Sequence, residues 1–374
     1  MSIISRIFDL RHPIKLFSDT LRKKLALMIF DTKTISELEP KSSKRILFWR
    51  TDGKIGDSVI SSFIYKELKA FYPKLEISVL TLENAKGLFE TNPYIDNVYL
   101  YKKRPNLLSV PSLLKEIPQQ DTIVFLGRFM KPRDILALRL LKAHNYIGLE
   151  KDAKIINYNI LADCENQHYQ QQFLAVAKVM GLNIMEPQYT YNINHRSELR
   201  VSKYLDDIDR PYICINPFGS ANSRCLTADN ILKIGKELNI YYPNHPLVVL
   251  CSPDQLHKLT TIETELKSIN AQFMSNSAHI DDSACLIKHA KLLVSVDTAT
   301  VHIAKAFEVP LIAIYLYGPN EYQMWHPNHP NSKTVFCKKP LSSITESNIN
   351  DFSHKELERT IRENIVTTEG NVSM

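Results

Sequence analysis

Eight short apolar runs recur along this 374-residue chain, and each gives way to a turn and then a helical pattern. Four lie at 46–50, 75–80, 97–101 and 122–126, rich in Ile, Val, Leu or Tyr and mostly bounded by Pro, Gly, Asn or Asp. Helical spacing fills the gaps, as in Val59, Phe63, Ile64, Glu67, Leu68 and Phe71. A second series reads "PYICINPFG", "PLVVLC", "LLVSVD" and "PLIAIYLYG". A strand that is apolar at nearly every position must be covered on both faces, and helices returning between parallel strands do this. The pattern predicts an α/β chain with two doubly wound Rossmann-like domains. Ligands of such sheets bind beyond the carboxyl ends of the strands, so a site is expected in a cleft between two opposed domains.

The stretch "MEPQYTYNINHRSE" at 185–198 reads as the linker, giving an N-terminal domain over 45–188 and a C-terminal domain over 189–345. Residues 346–374 form a tail, helical over 346–363 and expected to pack back across the first domain. Residues 1–44 stand apart. Ten Lys/Arg against five Asp/Glu in residues 1–45 supply nearly all of the chain's net charge of +6. Phe17, Leu21, Leu25 and Met28 follow helical spacing, beside Lys15, Arg22, Lys23 and Lys24. A basic amphipathic helix can lie in a membrane interface, or it can pack on the protein's own surface; both readings stay open. The rest of the chain is nearly neutral, and the basic charge sits in one terminal segment without interleaved aromatic platforms, which disfavours nucleic acid as a partner. No apolar run approaches the ~18 residues that span a bilayer, and no signal peptide is visible. Six scattered cysteines without a C-x-x-C pair fit reduced core thiols rather than disulfides or a zinc site. The expected location is cytoplasmic, with peripheral inner-membrane contact through residues 1–44 as the open alternative.

Three strand-to-helix turns carry candidate chemistry. In "RTDGKIGDSV", Gly53 and Gly56 let the chain turn sharply off its strand. Asp52 falls in that loop and Asp57 at the first turn of the next helix, where a carboxylate either caps the helix or is held ready for chemistry. The stretch matches neither a P-loop nor G-x-G-x-x-G. In "INPFGSANSRCLTADN", Ser220, Asn222, Ser223 and Arg224 suit a phosphate, or form a plain loop with an exposed arginine. In "LLVSVDTATVHIAKAF", a buried strand runs through Asp297-Thr298-Ala299-Thr300 into a helix whose first N–H groups form an anion site. His302 lies within its first turns, and "YGPN" at 317–320 ends the next strand. Asp254, after "VVLCSPD", could approach a ribose.

Taken in order, the Gly-Asp pair after the first strand, "NPYIDNVYLY", the Pro-x-Gly strand end with its basic loop, and "SVDTATVHIAKAF…YGPN" resemble glycosyltransferase family 9. Its members include the bacterial heptosyltransferases that build the inner core of lipopolysaccharide. The resemblance runs over about residues 45–345 and implies the two-domain GT-B architecture. It implies that Asp57 matches the family's catalytic base and Arg224 its phosphate-contacting lysine. Asp297, Thr298 and Ala299 match the Asp-Thr-Gly donor loop, His302 the histidine after it, and Ser220 falls in the donor diphosphate region. Three departures stand out: Arg for Lys at 224, Leu226-Thr227 for Trp-Pro, and Ala299 for Gly.

The reaction implied is inverting, metal-independent and free of cofactors, with heptose moving from ADP-heptose to an anionic lipid-linked core oligosaccharide of lipopolysaccharide or lipooligosaccharide. Acceptor phosphates or carboxylates would meet basic residues of the first domain. Arg128, at a strand's carboxyl end, is the preferred contact, with Lys131 and Arg133, while 102–104 read as solvated loop charge. Two alternatives stand: a relative using another sugar or nucleotide, and a relative that binds nucleotide sugars without transfer.

Overall fold

Short strands buried on both sides need parallel neighbours, and the computed structural model supplies them in two six-stranded sheets. It describes residues 3–208, 211–339 and 348–370, with side chains described within 17–363. Two compact units group the chain: one of residues 1–54 and 63–187, the other of residues 55–62 and 188–374. The division falls between Pro187 and Gln188, inside the stretch expected to be the linker. Segment 55–62, which the sequence places in the first domain, groups with the second unit.

The first sheet holds β1 (Arg45–Arg50), β2 (Glu76–Thr81), β3 (Asn97–Leu100), β4 (Thr122–Phe125), β5 (Asn145–Gly148) and β6 (Tyr158–Asn159). Their order is β3-β2-β1-β4-β5-β6, every pair parallel. The second holds β7 (Ile213–Asn216), β8 (Leu247–Val249), β9 (Ala271–Phe273), β10 (Leu292–Val296), β11 (Leu311–Tyr315) and β12 (Ser332–Phe336). Its order, β12-β11-β10-β7-β8-β9, is the same winding counted from its own first strand. Each sheet reverses direction of growth at one place, between β1 and β4 and between β7 and β10. Helices leaving these strand pairs go to opposite faces, so each reversal opens a crevice at the carboxyl ends.

Burial explains why the strands form where they do. Ile46, Leu47 and Phe48 are fully buried, and Trp49 packs edge-on against Tyr101 and Phe125, with ring centroids 5.2 and 5.4 Å away. Ile213, Ile215, Val294, Val296, Ile312 and Ile314 belong to the second core. Each such side chain contributes about 1.5–3 kcal/mol by leaving water. All six cysteines are free and five of them are buried.

The two terminal segments have definite places. The helix Ile3–Phe30 belongs to the first unit and packs on the helix Pro132–Leu141. Ala26 enters the core, and the Lys23 ammonium sits 2.7 Å from Glu150 and 3.1 Å from Asp152. The tail departs from expectation. Its helix begins at His354 rather than 346, after a short turn at Ile349–Asp351; residues 346 and 347 lie outside the described residues. Ile349, Phe352, Leu357 and Ile361 join the second core, so the tail packs on the second unit and not across the first. Two apolar residues at i, i+4 define a helix face but not the surface it will meet.

Candidate functional site

At the second sheet's reversal, the carboxyl ends of β7 and β10 bring the "NPFG" and "DTAT" turns together. Asn216 ends β7, and its side-chain N–H groups face three hydroxyls: Ser295 Oγ at 3.1 Å, Thr298 Oγ1 at 3.0 Å and Thr300 Oγ1 at 2.8 Å. Thr298 is the N-cap of the helix Ala299–Ala306, accepting from the Thr300 N–H at 3.4 Å. Small hydroxyl residues are therefore what this strand pair needs, since they tie the loop to the sheet and fix the direction of the helix's first N–H groups. Those groups carry the positive end of the helix dipole.

Arg224 reaches this helix start by a fold-back of its loop. A Cβ at Gly219 would lie 2.5 Å from Arg224 Cβ and 2.6 Å from its carbonyl oxygen, so only glycine lets the two backbone segments approach. Leu226 N–H donates to Pro217 O at 2.8 Å and closes the loop, and Thr227 N-caps the helix Ala228–Tyr241. The Leu226-Thr227 pair thus has a local account: Leu226 is buried and Thr227 starts the helix. Arg224 Nη1 lies 2.9 Å from Asp297 Oδ2. Burial pushes the Asp297 carboxyl above its ordinary range, and the Arg224 charge pulls it back only in part. An ion pair alone would lower it; here the loss of water outweighs the pair. Ser220 is exposed at the rim of the same loop.

The segment that holds Asp57 packs on the helix Ala299–Ala306. Asp57 is the third residue of the helix Ile55–Ile60 and is 8 % exposed. A Cβ at Gly56 would stand 3.2 Å from His302 Cδ2, 3.4 Å from Ala299 Cα and 3.8 Å from Ala299 Cβ. Ala299 and His302 therefore form the surface on which the Gly-Asp segment rests. Gly56 gives close approach, while Gly53, at φ +68°, makes the turn. Asp52 is tied into that turn: its carboxylate accepts the Lys54 N–H at 2.9 Å and pairs with Arg50 at 3.3 Å. Gly56→Ala is expected to lower the denaturation midpoint, because overpacking costs about 1–3 kcal/mol against a gain of ~1 kcal/mol in helix propensity. A raised midpoint in a thermal melt would mean that the contact yields freely.

At the first sheet's reversal, the ends of β1 and β4 open into a cavity of 340 Å³. Arg50, Lys102, Lys103, Arg104, Lys131 and Arg133 line it with Asp52 and Asp134, six cations against two carboxylates. The Asp134 carboxylate accepts the Lys131 N–H at 2.9 Å at the start of the helix Pro132–Leu141. Burial raises its pKa against the pull of that N–H, Arg133 and Lys131. Arg104 holds φ +58°, a left-handed backbone costing roughly 1–2 kcal/mol for a residue with a side chain. Arg128 is exposed and does not line this cavity, whereas 102–104 do. Asp254 lies exposed after β8, its carboxylate accepting from Ser252 and Gln255, which hold it below the usual carboxylate range.

Known proteins resemble this arrangement. Residues 136–351 match the family model of Glycosyltransferase family 9 (heptosyltransferase). The Escherichia coli K12 protein named "Putative lipopolysaccharide heptosyltransferase 4" is 26% identical over 315 residues, covering 79% of this chain and 82% of that protein. "Lipopolysaccharide heptosyltransferase 3" of the same strain is 22% identical over 292 residues, 73% of this chain and 82% of its own length. Among solved structures, the E. coli ADP-heptose lps heptosyltransferase II superposes with a TM-score of 0.67 at 15% identity, over 86% of this chain and 99% of that one. Its likeness fixes the fold as GT-B, two doubly wound parallel α/β units. With more than half of its length matched by the family model, the chain belongs to glycosyltransferase family 9 and is a glycosyltransferase.

Proposed function

We propose that this enzyme transfers heptose from ADP-heptose to an anionic, lipid-linked core oligosaccharide with inversion at the anomeric carbon. The observation carrying the reading is the ion pair of Arg224 with Asp297 just before the helix Ala299–Ala306, against which the helix holding the buried Asp57 packs. A solved E. coli heptosyltransferase WaaC holds ADP, and relatives of this chain carry the name lipopolysaccharide heptosyltransferase. In this reading Asp57 takes the proton of an acceptor hydroxyl as its oxygen attacks the anomeric carbon, and the C–O bond to the diphosphate breaks. The leaving diphosphate gains charge as that bond breaks. Arg224 and the N–H groups at 298–300 answer this charge, so stabilisation grows toward the transition state. Ser220, Asp297 and His302 complete the donor side.

On the acceptor side, the cationic cavity supports recognition of phosphate or carboxylate groups by Lys131 and Arg133. Lys131→Ala/Arg133→Ala is expected to raise the acceptor KM about tenfold or more, since charge-assisted hydrogen bonds are worth about 1.5–3 kcal/mol each, with kcat changed little. Unchanged acceptor KM in steady-state kinetics would remove the cavity from the acceptor path. Arg128→Ala should leave KM near its original value.

The test of the whole reading is transfer to a deacylated core oligosaccharide from a panel of nucleotide sugars, with products read by mass. ADP-heptose should be used in preference to the others, with full turnover after EDTA treatment, because Arg224 and backbone amides supply the positive charge. Preference for another sugar or nucleotide would assign a different donor. Donor binding without product would make the chain a non-catalytic binder, and loss of turnover with recovery on adding magnesium would overturn metal independence.

A further inference from the structure

The helix Ile3–Phe30 is held by one face and leaves a different, apolar face uncovered. Its rotation is fixed: Ala26 enters the core, Lys23 bridges Glu150 and Asp152, and Arg139 Nη1 donates to the carbonyl of Ile29 at 3.1 Å. Just past its end, the Asp31 carboxylate accepts the N–H groups of Lys154 and Ile155 at 2.7 and 2.9 Å. With 100° per residue, Phe17, Leu21, Leu25 and Met28 then fall in one stripe on the outer side. All are exposed, Met28 by 82 % and Phe17 by 73 %, and Ile29 extends the stripe. Large apolar side chains in a row on a monomer's surface mark an interaction site.

We propose that this stripe is a docking surface for an anionic lipid bilayer, lying in the membrane interface without crossing it. Charge selects the occupant. Lys24 and Arg22, both exposed, lie one on each edge of the stripe, where their ammonium and guanidinium heads can meet lipid phosphates while their stems stay on the apolar side. Within 17–30 the acid, Asp19, lies toward the packed side. A second copy of the chain docked on the same face would bring these cations, and a segment with ten Lys/Arg against five Asp/Glu, against their own likeness. No helix of the described residues is long and apolar enough to cross a membrane. The fastening on Glu150 and Asp152 makes this a rigid outward face of the first unit rather than a loose leader, so docking costs little ordering entropy.

The experiment is co-flotation of the full chain with phosphatidylcholine vesicles, with and without phosphatidylglycerol, alongside light scattering without lipid. The original chain should float with the anionic vesicles, less so at high salt. Leu21→Glu/Leu25→Glu/Met28→Glu should weaken flotation by about tenfold or more, with an unchanged melting midpoint, and Arg22→Glu/Lys24→Glu should weaken it on anionic vesicles alone. Three results would overturn the proposal. They are no flotation of the original chain, equal flotation of the triple variant, or a lipid-free dimer that the triple variant dissociates. Flotation reads no sugar transfer, so its outcome is separate from the donor and acceptor reading.

Discussion

Asp57→Asn is expected to lower transfer by about 10²–10⁴-fold, the usual contribution of a positioned general base, while donor affinity and melting midpoint stay near their original values. The choice of asparagine follows from where the residue sits. Asp57 is buried at the third position of the helix Ile55–Ile60, so its carboxylate has a structural use as well, in the field of the unpaired N–H groups. That use is worth only about 0.3–1 kcal/mol, and asparagine keeps the shape and can still accept a hydrogen bond. What it cannot do is take a proton. The substitution therefore separates the two roles, which Asp57→Ala would confound by also emptying a packed position. Steady-state rates alongside ADP binding by calorimetry decide it: near-original kcat in the asparagine variant would leave Asp57 a helix-start residue only. Loss of donor binding together with activity would place the residue in donor recognition instead.

Strands fully buried on both faces were legible because four or five apolar residues in succession, bounded by turn residues and rich in Ile and Val, suit a covered strand better than a helix of ordinary length. Strands escaped notice where that pattern relaxes. β5 begins with Asn145, fully buried yet bonded to Leu38 O at 2.9 Å, and ends in glycine, so its apolar run is too short to read. β9 has three residues, β6 has two, and β12, the outermost strand of its sheet, buries only Val335. The chemistry was legible in the same uneven way. Arg224 and Thr298 follow from strand ends that the pattern already marks. The resting of Gly56 on Ala299 and His302 joins positions more than two hundred residues apart, and glycine's local meaning, a turn, hid its packing meaning. That 102–104 line the first unit's cavity while Arg128 does not was not legible, because a position after a strand fixes a residue's place but not its side chain's direction, while the left-handed Arg104 gives its loop a course that residue type does not disclose.

Arg224→Ala is expected to lower kcat by about 10²–10³-fold, the cost of removing one preorganised charge partner from a developing oxyanion, and to weaken ADP-sugar binding less than it slows transfer. Arg224→Lys should recover part of the rate: it restores the charge but not the planar fork that can grip two phosphate oxygens. A fall in binding with kcat intact would instead mean that the arginine holds donor and transition state equally. The same variant has a pH signature with a defined sign. Burial raises the Asp297 pKa above its ordinary 3.8, so a raised acid opposes folding increasingly as pH climbs through the folded value. Arg224, 2.9 Å away, offsets part of that cost by favouring the carboxylate. Without it the carboxyl should rise further, so the midpoint deficit of Arg224→Ala against the original chain should be small near the ordinary carboxylate pKa and grow toward neutral pH. Arg224→Ala/Asp297→Asn should remove this pH-dependent deficit without restoring transfer, because the asparagine relieves the stranded charge but brings nothing positive to the leaving diphosphate. A deficit independent of pH would place the arginine's structural contribution in packing rather than in its pairing with Asp297.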